Sequence, residues 1–91
     1  MVARLHPTSD EASFTADVRA ALAALASRPG HLSSRLGRAL DDPEVWVLVS
    51  EWENVGSYRR ALSSYDVKMA SGVLMDSVVP EPTAFEVVDL G

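Results

Sequence analysis

The side chains best equipped for chemistry in this 91-residue chain are Trp52, Tyr58 and His31. Trp52 can wall a cavity, stack a planar ring and donate its indole N–H to a substrate oxygen; it can equally be core. Tyr58 can hydrogen-bond a phenolate and assist its deprotonation, or pack with a wet hydroxyl. His31 and His6 are the two histidines, and imidazole is the side chain whose ordinary pKa suits proton transfer near neutrality. His31 follows a Pro-Gly turn, so it is either a general base or a surface residue, and His6 sits at a strand end before Pro7. Glu51 and Glu53 flank Trp52, as an acid–base pair or as surface partners of Arg59 and Arg60. Two separated histidines among scattered carboxylates are not a ligand pattern, so no metal is expected. The glycines at 30, 37, 56 and 72 form no phosphate cradle, so no nucleotide or flavin cofactor is expected either.

The elements that must position these residues fit one small domain spanning 1–91. Hydrophobic residues make up 47% and charged residues 23% of the chain, an ordinary balance for a soluble domain. So short a chain has little interior, which already favours a partner subunit. There are no cysteines, which removes disulfides and thiolate chemistry and is compatible with a reducing cytoplasm. The net charge of −5 and the scatter of arginines among acids argue against nucleic-acid binding. No apolar run approaches membrane-spanning length, and the start of the chain lacks a signal-peptide core.

The clearest element runs from Glu44 to Glu53. Val45, Val47, Val49 and Glu51 alternate with Trp46, Leu48, Ser50 and Trp52, so both faces of this strand are largely apolar and both need covering. Asn54 then caps a helix carrying Tyr58, Ala61 and Leu62 on one face. Before it come a short strand over Val2–His6 and a helix opened by a Thr8/Glu11 capping box, with Phe14, Val18, Ala21, Leu22 and Leu25 at helical spacing. Arg28-Pro29-Gly30 ends that helix. His31 to Leu40 reads as a strand, its Gly37 marking a bulge or a close approach, and Asp41-Asp42-Pro43 turns it into a hairpin with the central strand. After Ser63/Asp66 a last helix carries Val67, Ala70, Leu74 and Val78, and Thr83 to Asp89 alternates as a final strand. Trp46, Met69, Val73, Leu74 and Met75 read as core or cavity lining. The order β-α-β-β-α-β is the ferredoxin-like α+β arrangement, an antiparallel sheet with helices on one face. A second copy is the economical cover for the other face.

Arg28-Pro29-Gly30, Asp41-Asp42-Pro43, the run Trp46 to Glu53, Tyr58 to Leu62, and Glu81-Pro82 before Phe85 to Val88 together resemble the antibiotic biosynthesis monooxygenase domain of the dimeric α+β barrel superfamily. The resemblance implies a homodimer whose sheets close a barrel, with one small-molecule cavity per subunit between sheet and helices. It implies cofactor-free oxygenation of phenolic polyketides or quinone precursors, or haem degradation. Trp52 and Tyr58 match cavity-lining positions of the phenol-oxidising members. Those members add a strand asparagine, where this chain offers Leu48 and Ser50. The haem-degrading members carry a histidine where this chain has Ser71, which disfavours haem.

The expected function is therefore a cofactor-independent monooxygenase of an aromatic small molecule, using an electron-rich phenolate that itself reduces dioxygen. Trp52 stacks the ring, Tyr58 contacts its hydroxyl and His31 is the candidate base, with Trp46, Leu48, Ser50, Met69 and Leu74 as substrate-binding positions. The alternative is a non-catalytic dimeric module of the same fold.

Overall fold

The computed structural model describes residues 1–91 apart from the side chain of Val73, which lies outside the described residues. Its elements are β1 (Val2–Leu5), α1 (Glu11–Ala26), β2 (His31–Arg38), β3 (Trp46–Trp52), α2 (Val55–Ser63) and α3 (Tyr65–Met75). The strands form an antiparallel sheet in the order β1-β3-β2. This is the ferredoxin-like α+β arrangement, with the helices on one face.

Burial decides which face of β3 meets the helices. Leu48 and Ser50 are buried, and Trp46 packs on the core that Leu48 forms with Ala3, Leu5, Phe14, Val18, Ala21 and Leu74. Phe14, Val18, Ala21 and Leu25 recur every three or four residues on α1, so one stripe of that helix reaches the sheet. Val47 and Val49 lie on the opposite face, beside Gly37 of β2 and Val2 of β1 respectively.

Capping differs from the expectation at two of three helices. α1 is capped by Asp10, not Thr8: Asp10 Oδ1 accepts from the Ser13 N–H at 2.8 Å and Oδ2 from the Ser13 hydroxyl at 3.1 Å. An ionised carboxylate makes the stronger bond there and suits the positive end of the helix dipole. Glu11 instead turns to Arg38, 3.1 Å away. Asn54 caps α2 as expected, accepting from Ser57 N–H at 2.8 Å. The break before α3 falls at Ser64, one residue later than the Ser63/Asp66 reading. Its hydroxyl donates to the Ala61 carbonyl at 2.7 Å and accepts from the Val67 N–H at 3.3 Å, closing one helix and opening the next.

Two corrections concern strands. The bulge in β2 falls between His31 and Ser33, where two steps on β2 oppose one on β3. Gly37 sits in regular register opposite Val47; a Cβ there would lie 3.3 Å from Val47 Cγ1, so it marks a close approach. The final strand expected over Thr83–Asp89 is not formed. The sheet position beside β1 is taken by the residues before it. His6 N–H donates to the Ser77 carbonyl at 2.7 Å, Val79 N–H to Arg4 at 2.9 Å and Val2 N–H to Thr83 at 2.7 Å, around a Leu5–Val78 bridge. Between the last two bonds β1 advances two residues and the tail four. Pro80 and Pro82, which have no N–H, sit in this excess, and Arg4 clamps Glu81 with bonds of 2.7 and 3.1 Å. Phe85, Val87, Val88 and Leu90 are then exposed.

Candidate functional site

The bulge at Leu32 builds the site. In unbroken register Leu32 would oppose Trp52 and His31 would point to the other face. The extra residue instead pairs His31 with Trp52 and leaves Leu32 exposed. The imidazole thereby reaches the helix-facing side, where its Nε2 shares a 2.7 Å hydrogen bond with the Ser34 hydroxyl. Its ring stands edge-on to Trp52, centroids 5.1 Å apart at 81°.

Trp52 ends β3, and α2 begins three residues later, so Tyr58 in the first turns of α2 comes back beside it. Their centroids are 6.0 Å apart with the planes tilted by 58°. The indole N–H donates to Ser50 Oγ at 2.9 Å, and Ser50 is only 3% exposed. Ser34 and Ser50 face each other across the β2–β3 ladder. One hydroxyl thus orients His31 and its cross-strand neighbour orients Trp52. The Met1 amine donates to the Ser50 carbonyl at 2.8 Å; burial holds it below the ordinary α-amino range, against the opposing charge of Glu51.

Tyr58 joins this cluster to an apolar cavity of ≈ 240 Å³ between the sheet and the helices. Leu48 of β3 and Leu74 of α3 are in its wall, Ser71 adds a hydroxyl, and Lys68 stands at the rim with the exposed Met75. Trp52 and Ser50 do not line this cavity. They open with Tyr58 onto a shallower cleft of ≈ 700 Å³, edged by Ala84 to Val87 of the tail.

The structure therefore brings together His31, Ser50, Trp52 and Tyr58, and Leu48 and Leu74 share the cavity wall with Tyr58. It does not bring Trp46 or Met69 to them. Trp46 lies at the other end of β3, about 20 Å away at the usual strand rise. It packs edge-on to Phe14 at 5.4 Å beneath the Arg38 guanidinium at 5.1 Å. Met69 points away from the sheet and is exposed. Residues not anticipated are Ser34 and Lys68. Ser34 became relevant only through the bulge. Lys68, the one lysine of the chain, sits one helical turn before Ser71, and that spacing was the available signal. Among the described residues no three of His, Asp and Glu converge as metal ligands, and no helix is long and apolar enough to cross a membrane.

The antibiotic biosynthesis monooxygenase family model matches residues 1–71. The chain belongs to that family. No curated protein matches the sequence, but solved structures share the fold of this family member. SnoaB, a cofactor-independent oxygenase from Streptomyces nogalater, superposes with a TM-score of 0.79 at 23% identity, over 96% of this chain and 92% of that one. A putative antibiotic biosynthesis monooxygenase from Bordetella bronchiseptica gives 0.72 at 24% identity, over 96% and 94%. One from Nitrosomonas europaea gives 0.69 at 16%, over 89% and 85%.

Proposed function

We propose that this family member is a cofactor-independent monooxygenase of an electron-rich aromatic molecule, acting as a homodimer. The observation that carries the reading is that Tyr58 belongs both to the His31/Trp52 cluster and to the wall of the apolar cavity. A ring held in that cavity lies against the Tyr58 phenol, which neighbours Trp52, which in turn neighbours His31. Removal of the phenolic proton makes the ring carbon electron-rich enough to reduce dioxygen. One oxygen atom then enters the ring as the carbonyl of a quinone and the other leaves as water. The substrate supplies all the electrons, so the protein has only to bind, deprotonate and desolvate it. Tyr58 contacts the ionising hydroxyl, His31 held by Ser34 takes the proton, and Trp52 held by Ser50 fixes the ring planes around them. SnoaB, described as a cofactor-independent oxygenase, has the same fold, which supports the reading.

The dimer follows from the uncovered face of the sheet. Val47, Val49 and Val2 form an apolar stripe there, and a second sheet is its natural cover.

One observation favours a second reading, a ligand-binding module without turnover. Leu48 fills the strand position with an aliphatic side chain, and the Trp52 N–H is already engaged by Ser50. Oxygen consumption with polyphenolic anthrones and hydroquinones, with no cofactor added, separates the two. Uptake above the spontaneous rate that falls in Trp52→Phe and Tyr58→Phe supports the oxygenase. No uptake from a folded dimer leaves the binding module.

A further inference from the structure

In a chain without cysteine the sulfur open to oxidation is that of methionine, and this chain has three methionines. Met1 is half-buried, whereas Met69 and Met75 on α3 are 65% and 61% exposed. An oxidant dissolved in water therefore reaches the last two about equally. Their surroundings differ. Lys68, Ser71 and Met75 recur three and four residues apart, so they share one stripe of α3, and that stripe edges the apolar cavity between the sheet and the helices. Met69 lies off it.

Met75 also stands where the helix ends and the cavity wall passes to the sheet. It is the last residue of α3. The chain then turns, with the Val78 N–H donating to the Met75 carbonyl at 3.3 Å, and brings Val78 to Leu5 of β1. Leu5, Leu74 and Val78 belong to the same wall. The Met75 side chain is thus open to water while it borders ≈ 240 Å³ of apolar space.

We propose that Met75 is an oxidation site that sets the affinity of this cavity for apolar ligands, with hydrogen peroxide as the oxidant. The thioether sulfur takes one peroxide oxygen as S=O, the O–O bond breaks, and the other oxygen leaves with both protons as water. Sulfur loses two electrons and peroxide gains them. The sulfoxide is polar where the thioether was apolar. Turned inward it sets an S=O dipole against aliphatic carbon, and turned outward it withdraws an apolar contact, so an apolar occupant is held less tightly in both cases. The proposal rests on the oxygenase reading for the source of the oxidant. Dioxygen that takes two electrons and two protons from a hydroquinone, and leaves without entering the ring, leaves as hydrogen peroxide. Such leakage then lowers ligand binding at the cavity until methionine sulfoxide reductases restore the thioether.

The test treats the full chain with dilute hydrogen peroxide, reads sulfoxide at each methionine by fragment mass spectrometry, and measures toluene binding by calorimetry before and after. Met69 and Met75 are expected to oxidise at rates within about threefold of each other. Toluene affinity is expected to fall about fivefold in step with Met75 and to return after reduction of both sulfoxide epimers. Met75→Leu keeps an apolar side chain at the mouth and is expected to hold its affinity through the treatment, while Met69→Leu loses affinity as the parent does. The proposal is overturned if Met75 sulfoxide leaves toluene affinity unchanged, if Met75→Leu loses as much as the parent, or if Met75 stays reduced while Met69 oxidises. Absence of toluene binding to the untreated chain also overturns it. Oxygen uptake with hydroquinones in that last case would leave the oxygenase reading standing, and its absence would remove both.

Discussion

Replacing Gly30 by alanine tests the geometry that seats α2 against the end of the sheet. Gly30 has φ +88°, a conformation that costs a residue with a Cβ about 1–2 kcal/mol. The added methyl also has no room. It would overlap Cβ and Oγ of Ser57, which is itself buried at the start of α2. Overpacking of that kind costs about 1–3 kcal/mol, and the total of about 2–5 kcal/mol is a large part of what a small domain has. At roughly 4–8 °C per kcal/mol for a domain of this size, Gly30→Ala should melt at least ~8 °C lower. Urea unfolding should show the same loss. Ser57 precedes Tyr58, so the variant should also change tryptophan emission as the Trp52–Tyr58 contact moves. Adding Ser57→Gly removes the overlap and leaves the backbone strain, so the double variant should recover about 1–3 kcal/mol relative to the sum of the singles. A Gly30→Ala protein within ~0.5 kcal/mol of the parent, or a double variant with no recovery, would refute the packing of the Pro29-Gly30 turn against α2.

Ser50→Ala removes the acceptor of the Trp52 N–H; it should cost about 1–2 kcal/mol in urea unfolding and shift the tryptophan emission. Val47→Glu places a charge on the apolar stripe of the open sheet face and, if the proposed dimer forms through that face, should give monomer in sedimentation with the monomer fold retained in circular dichroism. Asp10 has its pKa lowered by the Ser13 backbone N–H and then by the Ser13 hydroxyl. Its contribution to stability is therefore present above the ordinary aspartate range and is lost as pH falls through the lowered folded value. Asp10→Asn keeps an oxygen acceptor without that titration, so its melting temperature should fall less steeply in acid. Thr8→Ala, outside the cap, should stay within ~0.5 kcal/mol of the parent.

The central strand was the most legible element because Val45 to Trp52 admits one alternation, and burial of Leu48 and Ser50 puts the Trp46 set toward the helices. Trp52 and Tyr58 could be paired from sequence because a strand end and the first turns of the next helix are adjacent by connectivity. His31 could not be placed the same way. Nothing in HLSSRLG marks the bulge at Leu32, and strict alternation along the strand puts His31 on the face opposite Ser34, one residue out of step with the observed pairing. The tail erred through a different cause. Thr83 to Asp89 does alternate, but its place beside β1 is already filled by Ser77 to Thr83, whose prolines argue against a strand. Ser71 and Lys68 belong to the cavity through the packing of α3 on α1, a contact between elements far apart in sequence that no local pattern encodes.

The segment beside β1 also determines how copies of the molecule can meet. A bare outer strand offers a row of unpaired N–H and C=O groups on which another strand can grow. Here that row is occupied at His6, Arg4 and Val2, and the occupying segment presents Pro80 and Pro82 in place of two donors, with Glu81 locked to Arg4. Sheet extension through this border is blocked by the backbone already paired there and by prolines that carry no N–H. In the proposed dimer the copies would meet through the valine face instead, and association through a face related to itself by a two-fold axis stops at two.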